Sequence, residues 1–336
     1  MNATPAKKIA PRPAPDFGFY DPVLEEFAGL NALIPSRLSS DVDLVEEIGT
    51  YIVEAGGKRL RPLVVLLVST ACGARGDDRL KLAAIIEFLH TATLLHDDVV
   101  DHSALRRGRR TANDLWGNAP SVLVGDFLYS RAFQMMVELG DIEIMRVLSD
   151  ATNVIAEGEV QQLMNCNDPD TTEESYMQVI YSKTARLFES ATQIGAILND
   201  APEHVEIAMQ NYGKYLGTAF QLIDDVMDYT SDGEDMGKNV GDDLAEGKPT
   251  LPLLHAMRNT TPENSIMIRE AIEKANGMDR LEEILAVMKE AGSLEYTTQK
   301  ALEEADKAIA ELSVLPESEY KQALVTLAHV AVQRTK

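Results

Sequence analysis

Long proline-free windows rich in Ala, Leu, Ile, Met, Glu and Gln make up most of the chain. After Pro62 the prolines stand far apart, at Pro120, Pro169, Pro202, Pro249, Pro252, Pro262 and Pro316. The residues between them favour helices. Regular alternation of apolar and polar residues, which would indicate strands, is not visible, and Asn-Gly hairpin signals are almost absent. The pattern predicts an all-α fold.

Two long helices stand out in this pattern. From Leu80 to Val100 the sequence is apolar nearly all round, which is typical of a helix in a protein interior. Asp77-Asp78 precedes this helix and is expected to cap it, and Arg106-Arg107-Gly108 lies beyond its expected end. The second helix is predicted over residues 203–229, and the sequence Ser231-Asp232-Gly233 is expected to end it.

No Gly/Ser-rich linker divides the chain, so we predict one helical domain over residues 23–336. Residues 1–22 hold five of the fourteen prolines and lack the apolar core of a secretory signal, so a flexible tail is predicted there. No charge-free apolar window reaches about eighteen residues, and no membrane span is predicted. The two cysteines, Cys72 and Cys166, indicate reduced thiols in a cytoplasmic protein.

The overall charge restricts the class of partner. At 336 residues with 45% hydrophobic content, the chain is large enough to bury a substantial core. Its formal net charge of −23 at pH 7 argues against nucleic acid and against an anionic membrane surface, because both attract basic proteins. Divalent cations fit this charge better.

Two copies of the pattern Asp-Asp-x-x-Asp lie 127 residues apart, as Asp97, Asp98 and Asp101 and as Asp224, Asp225 and Asp228. On a helix, the first and last aspartate of each copy lie on one face. One copy alone is most often a solvated acidic face, but both copies are embedded in apolar stretches, where carboxylates need a counter-charge. Their oxygen ligands suit Mg²⁺, which often takes phosphate as a further ligand. The pair therefore predicts a magnesium site and a phosphate-bearing substrate.

A polyanionic substrate also needs cations from the protein, and these occur in discrete places. The segment 56–62 carries Lys58, Arg59 and Arg61, and further cations are Arg106, Arg107, Lys183, Lys238 and Lys248. An isolated lysine is usually solvated, so these residues gain meaning only with the aspartates. Helical spacing places Gln221 on a stripe with the second motif, and His90 and Thr93 near the first. The alternative role of His90 is that of a hydrogen-bonded core residue. His96 and His102 point away from the first motif.

These segments together resemble the all-trans polyprenyl diphosphate synthases. The resemblance runs from about Leu44 to the C-terminus and is carried by 56–62, 97–101, 106–108, 125–128, 183–184, 217–225 and 237–243. Asn239 stands where many relatives have proline. The resemblance implies a single helical bundle of the isoprenoid synthase type with a central active-site cavity, and it implies a homodimer.

The resemblance also implies a role for each matching residue. Mg²⁺ as cofactor would be held by Asp97, Asp98, Asp101, Asp224 and Asp228, with Asp225 and Lys183 also in the catalytic set. An allylic diphosphate would contact Arg106, Lys183, Gln221 and Lys238. Isopentenyl diphosphate, bound without its own metal, would contact Lys58, Arg61, His90 and Arg107. Thr184 and Lys248 complete the predicted substrate-binding set.

Product length depends on the space below the first motif. The resemblance points to Ala92 and Thr93, whose small side chains would let the product grow long, although Thr93 faces the site more squarely by helical geometry. Phe133, Met135 and Met136 are candidates for a deeper tunnel floor, but plain core is the more usual role of such residues.

The predicted activity is that of a long-chain trans-prenyltransferase, with octaprenyl diphosphate for a quinone tail as the expected product. The alternative products are nonaprenyl and heptaprenyl diphosphate. The alternative function is that of a non-catalytic subunit in a heteromeric synthase. An acidic calcium-binding protein is excluded, because residues 231–243 lack the ligand spacing of a calcium loop. Peripheral association with a membrane through the apolar product stays open.

Overall fold

The computed structural model describes residues 18–230 and 240–333. Its α-helices are α1 (Leu24–Arg37), α2 (Asp43–Glu54), α3 (Leu60–Ala71), α4 (Asp78–Val100), α5 (Ala112–Trp116), α6 (Asn118–Leu139), α7 (Ile142–Asn165), α8 (Glu173–Ile180), α9 (Arg186–Ile197), α10 (Glu203–Thr230), α11 (Asp242–Ala245), α12 (Leu251–Arg258), α13 (Pro262–Lys274), α14 (Leu281–Glu290), α15 (Ser293–Glu311) and α16 (Glu319–Val332). Short 3₁₀ turns cover Asp21–Val23, Gly277–Arg280 and Leu312–Val314, and a π-helical turn covers Tyr181–Ala185. The all-α prediction is confirmed.

The helices that carry the two acidic motifs lie inside the bundle. Helix α4 packs along α6 and α3, and helix α10 packs along α9 and α15. One apolar cluster joins α3, α4, α6 and α9 with the first half of α10, and a second joins the last half of α10 with α12 to α15. Burial of this apolar surface is the main stabilising contribution to such a bundle. Both aspartate motifs therefore lie at the ends of well-supported helices.

The predicted helix limits agree closely with the structure, but one predicted cap does not. Asp77 lies at the N-cap position of α4, yet its side chain makes no capping hydrogen bond there. Its backbone is helical, with φ −87° and ψ −10°, whereas a capping side chain normally requires an extended backbone at that position. Helix α10 is described as far as Thr230, one residue beyond the predicted limit, and the predicted breaker Ser231-Asp232-Gly233 lies outside the described residues.

Two features were not predicted. Leu105–Arg106 and Arg109–Arg110 form a two-stranded antiparallel hairpin, and its turn residues Arg107 and Gly108 both have positive φ, 53° and 72°, as a tight hairpin turn requires. The described end of the predicted tail is folded: Phe19 is buried, and the Tyr20 hydroxyl donates to the Lys58 carbonyl at 2.5 Å. Folded structure thus begins before residue 23. No described helix has the length and apolar character needed to cross a membrane.

Candidate active site

Asp98 is the most deeply buried member of the first motif. Its side chain is inaccessible, and its Oδ1 accepts a hydrogen bond from Arg106 Nε at 2.7 Å. The Asp98 Oδ2 atom is buried and has no hydrogen-bond partner among the described residues. Burial raises the pKa of Asp98, and the charge of Arg106 opposes this shift. The hairpin that carries Arg106 therefore supplies one counter-charge and leaves one carboxylate oxygen for a ligand.

Lys183 contacts the other face of the first motif. Its ammonium donates to Glu159 Oε2 at 2.7 Å and to Gln162 Oε1 at 2.6 Å, and it lies 3.9 Å from Asp97 Oδ2. Burial lowers the pKa of Lys183, but the charges of Asp97 and Glu159 outweigh it, so the net shift is upward. Lys183 is therefore a fixed cation at the edge of the motif.

Two glycines allow the π-helical turn that carries Lys183 to approach its neighbours. A Cβ atom on Gly158 of α7 would lie 2.6 Å from Ser182 Cβ, and one on Gly217 of α10 would lie 2.6 Å from Ala185 Cα. Such distances are too short for any real Cβ atom, so only glycine permits this packing. Single π-helical turns are frequent at functional sites, and this one places Lys183 beside Asp97.

The close approach gives a first testable prediction. Gly217→Ala should destabilise the protein by about 1 to 3 kcal/mol, because the new methyl group meets backbone atoms rather than a flexible side chain. Gly49→Ala is the matched control, since its Cβ would meet only the Leu38 side chain at 3.4 Å and alanine favours the helix. Thermal unfolding of both variants measures the difference. Equal melting temperatures would contradict the packing described.

The second motif contains a buried hydrogen-bond network. Tyr176 OH donates to Asp225 Oδ2 at 2.5 Å, and Gln221 Nε2 donates to Asp225 Oδ1 at 2.8 Å. Thr184 Oγ1 donates in turn to Gln221 Oε1 at 2.8 Å. Asp225 thus faces α8 and the π-helical turn. Gln221 and Thr184, both predicted substrate-binding residues, are brought together with it.

The protonation of Asp225 predicts how stability depends on pH. Burial, together with the charge of Asp243, raises its pKa from 3.8 to about 8. The unfolded chain loses this proton near pH 4 and the folded chain only near pH 8, so the folded state becomes less stable as pH rises between these values. For protein kept metal-free with a chelator, the melting temperature of Asp225→Asn should fall less over this window than that of the wild type. Parallel profiles would refute the assignment.

Lys248 and α11 connect the two motifs. Lys248 Nζ lies 3.4 Å from Asp101 Oδ2 and also forms an ion pair with Glu246. The backbone N–H of Asp243 donates to Asp228 Oδ2 at 3.2 Å. Burial lowers the pKa of Lys248, and the charges of Asp243 and Asp101 raise it by more, so it stays protonated. Lys183 and Lys248 therefore place two ammonium groups beside the first motif, and the α11 turn that precedes Lys248 contacts the second.

A second cluster of cations, from the start of α3 and from the hairpin, surrounds the middle of α4. Arg61 Nη1 lies 3.2 Å from His90 Nε2, and Arg59 Nε lies 3.6 Å from Glu87 Oε1. Arg107 donates to the backbone carbonyl of Gly56, so the hairpin reaches the glycine-rich segment 56–62. Arg61, His90 and Arg107 are thus brought together as predicted. Of Lys58, the structure records its carbonyl as an acceptor for Tyr20.

The residues predicted to control product length lie between α4 and α6. Ala92, Met135 and Met136 are fully buried in one apolar cluster, and Phe133 is half-buried against it. Thr93 is also only half-buried, and its hydroxyl donates to the His90 carbonyl at 2.8 Å. The Thr93 side chain keeps some solvent-accessible surface, whereas Ala92 has none.

The remaining predicted residues have simple outcomes. Lys238 lies outside the described residues, so its role stays a prediction. His96 points away from the motifs, since its Nε2 lies 3.2 Å from the Val122 carbonyl and 3.3 Å from Asp126 Oδ1.

Within 18–230 and 240–333, no three Asp, Glu, His or Cys side chains are already arranged to enclose a metal ion. The donor set nevertheless fits Mg²⁺, because it consists of carboxylate oxygens with a buried, unsatisfied Asp98 Oδ2.

Several residues of the site were missed by sequence reasoning. Glu159 and Gln162 hold Lys183, Tyr176 holds Asp225, and Glu87 pairs with Arg59. The i, i+3 spacing of Glu159 and Gln162 on a helix was a usable signal. The spacing of Tyr176 and Glu87 gives no such signal, since their partners come from distant elements.

Comparison with known proteins identifies the family. A family model described as Polyprenyl synthetase matches residues 42–288. The chain is 61% identical over 312 residues to the octaprenyl diphosphate synthase of Escherichia coli (strain K12), covering 93% of this chain and 97% of that protein. It is 50% identical over 314 residues to the all-trans-nonaprenyl-diphosphate synthase (geranyl-diphosphate specific) of Rhodobacter capsulatus, covering 93% and 96%.

Solved structures agree with this result. A decaprenyl diphosphate synthase from Rhodobacter capsulatus superposes with a TM-score of 0.91 at 43% identity, covering 96% of this chain and 100% of that one. A polyprenyl synthase from Caulobacter crescentus CB15, complexed with calcium and isoprenyl diphosphate, gives a TM-score of 0.90 at 42% identity, covering 97% and 100%. The sequence, the fold and the arrangement of the two acidic motifs lead to one conclusion: the chain belongs to the polyprenyl synthetase family.

Proposed function

We propose that this chain is a long-chain trans-prenyltransferase that condenses isopentenyl diphosphate onto an allylic diphosphate and makes octaprenyl diphosphate. The observation that carries the proposal is the set of contacts by which Lys183 lies beside the first motif and Lys248 links that motif to the α11 turn beside the second. Carboxylates for a metal, fixed ammonium groups and a buried setting are the parts that departure of a diphosphate requires. The 61% identity to an octaprenyl diphosphate synthase supports the product.

We further propose Mg²⁺ as the cofactor. Asp97, Asp98 and Asp101 would hold Mg²⁺ at the end of α4, and Asp224 and Asp228 of α10 would hold a further ion from the other side. Bound there, Mg²⁺ would neutralise charge that develops on the departing diphosphate. The buried, unsatisfied Asp98 Oδ2 supports this assignment, because an isolated buried carboxylate oxygen is costly without a cation.

The chain's own cations would bind the same diphosphate. Lys183 lies next to Asp97 and Lys248 next to Asp101, and Arg106 is held by Asp98. Because ionisation leaves an allylic cation, a dry apolar cavity beneath the motif would keep water away. The proton lost after condensation would pass to the released diphosphate, and no side-chain base is required for this step.

Isopentenyl diphosphate would bind in the second cluster, where Lys58, Arg61 and Arg107 supply the positive charge. Arginine suits this role, because its planar fork matches two phosphate oxygens at once. The family resemblance implies that this diphosphate binds without a metal of its own. The two substrates would thus be distinguished by their metal content.

We propose a homodimer through α6 and α7. These helices leave large apolar side chains exposed, including Leu123 and Val137 on α6 and Val160, Leu163 and Met164 on α7. Exposed apolar surface of this kind typically marks an interface. Analytical ultracentrifugation should give twice the 36.9 kDa mass of the chain. Cys72 and Cys166 are free thiols, which supports a cytoplasmic location. The apolar product would support peripheral association with a membrane.

An incubation with farnesyl diphosphate, labelled isopentenyl diphosphate and Mg²⁺ tests the activity, with mass analysis of the extracted chains. A discrete C40 product is expected, to serve as a quinone side chain. C45 or C35 product would retain the mechanism and change the product length. The control omits Mg²⁺ and adds a chelator. No product from folded protein that binds Mg²⁺ would favour the alternative of a non-catalytic subunit.

A further inference from the structure

Gly125 lies within α6, and the His96 ring of α4 occupies the space that a side chain would take there. A Cβ atom on Gly125 would lie 2.6 Å from His96 Cδ2 and closer still to His96 Nε2, and its three nearest neighbours all belong to this ring. Glycine inside a helix is less favourable than alanine. The missing side chain at Gly125 therefore makes room for the His96 ring.

Two hydrogen bonds cross between α4 and α6 beside this ring. His96 Nε2 lies 3.2 Å from the Val122 carbonyl, and because a carbonyl oxygen can only accept, the imidazole must donate. One residue earlier, the Leu95 carbonyl accepts from Ser121 Oγ at 3.0 Å. Leu95 and His96 immediately precede Asp97, so α6 holds the backbone that leads into the first motif.

The last turn of α4 needs support from its neighbours. The helix ends at Val100 with Asp101 as its C-cap, so Asp97, Asp98 and Asp101 all lie at the C-terminal end, where the helix dipole disfavours negative charge. Asp97 and Asp101 are also like charges four residues apart, which destabilises a helix. Both effects favour local opening of this turn, and the contacts with α6 oppose it.

We propose that His96 is a positioning residue for the first motif. Its ring, packed against Gly125 and bonded to the Val122 carbonyl, holds the last turn of α4 in the geometry that binds Mg²⁺. The proposal rests on the proposed function, which assigns the metal to this motif. Asp126 is not required, because its carboxylate is 62% exposed and an exposed ion pair contributes little.

Hydrogen exchange in metal-free protein tests the proposal. Gly125→Ala should displace the His96 ring toward solvent, since the new methyl group meets this ring first and the His96 side chain is already 36% exposed. The amides of residues 97–101 should then exchange about fivefold faster, the effect of losing one hydrogen bond, and those in the first half of α4 should not change. Unchanged exchange over residues 97–101 overturns the proposal.

A double substitution shows whether the ring itself carries the effect. His96→Ala should accelerate exchange as much as Gly125→Ala does. In the His96→Ala background, Gly125→Ala should have no further effect, because the ring that it would displace is gone. His96→Gln keeps an N–H donor and should restore most of the protection. Additive effects of the two substitutions would contradict the proposal. Asp126→Asn is the control and should exchange like the wild type.

Initial rates over a Mg²⁺ series connect the position of the turn to function. His96→Ala and Gly125→Ala should each need about fivefold more Mg²⁺ for half-maximal rate, in line with one lost hydrogen bond, and His96→Gln should need less than either. KM for isopentenyl diphosphate should not change. Faster exchange with an unchanged Mg²⁺ requirement would overturn the proposal. An inactive wild type would count against the proposed function, and the exchange of residues 97–101 would still decide whether His96 holds the turn.

Discussion

Replacing Asp98 by asparagine should lower kcat of the condensation about 10²- to 10³-fold, a loss typical of removing one group that stabilises developing charge. The asparagine amide keeps an acceptor for Arg106 Nε but presents an NH₂ group where Asp98 Oδ2 now lies unsatisfied. An NH₂ group cannot bind Mg²⁺, so the variant should also need more Mg²⁺ for half-maximal rate. Initial rates over a Mg²⁺ series measure both effects.

Asp126→Asn is the matched control for this substitution. Asp126 is exposed on α6, and its recorded contact is His96 at 3.3 Å, so its loss should leave the rate and the Mg²⁺ dependence unchanged. The melting temperature of Asp98→Asn should not fall, because burial raises the pKa of Asp98 and the neutral amide removes that cost. An Asp98→Asn enzyme with wild-type kcat would remove Asp98 from the proposed metal ligands.

Adjacent residues of the hairpin face different parts of the site. Arg106 donates to Asp98 of the first motif, whereas Arg107 donates to the Gly56 carbonyl next to the second cluster. The positive φ of Arg107 turns the chain between them. A single tight turn therefore places one cation at each proposed diphosphate. This explains physically why two consecutive arginines have different predicted roles.

Sequence reasoning was strongest where periodicity and composition act locally. Helices α4 and α10 follow from long apolar windows, and their ends agree with the structure within a few residues. The pairing of Asp98 with Arg106 was also within reach, because the two lie only eight residues apart. Local propensity and short separations are properties of the sequence itself.

The parts that escaped prediction depend on contacts between distant elements. No sequence pattern marks the π-helical turn at Tyr181–Ala185. The two glycines that let it pack closely, Gly158 and Gly217, come near it only in the folded chain. The hairpin that turns at Arg107-Gly108 was missed because its two-residue strands are too short for alternation to appear. Tertiary packing decides such features, and local propensity does not.

Product length is the property most open to redesign, and Thr93→Phe should move most of the product to short chains. Thr93 is half-buried, one turn before Asp97, and its hydroxyl donates only to the His90 carbonyl in the hydrogen bonds recorded. Because the Thr93 side chain keeps some accessible surface, a phenyl ring there should disturb the core less than one at Ala92 would, and it would occupy space below the first motif. The growing chain would then meet the ring early. Mass analysis of products from the wild type and the variant measures the shift.

Ala92→Phe is the informative comparison, because the family resemblance names both positions. Ala92 has no accessible surface and lies in one apolar cluster with Met135 and Met136, so a phenyl ring there overpacks the core at a cost of about 1 to 3 kcal/mol. We expect Ala92→Phe to lower the melting temperature and Thr93→Phe to leave it nearly unchanged. If Thr93→Phe still makes full-length product while Ala92→Phe shortens it, the chain must grow along the face of α4 that carries Ala92.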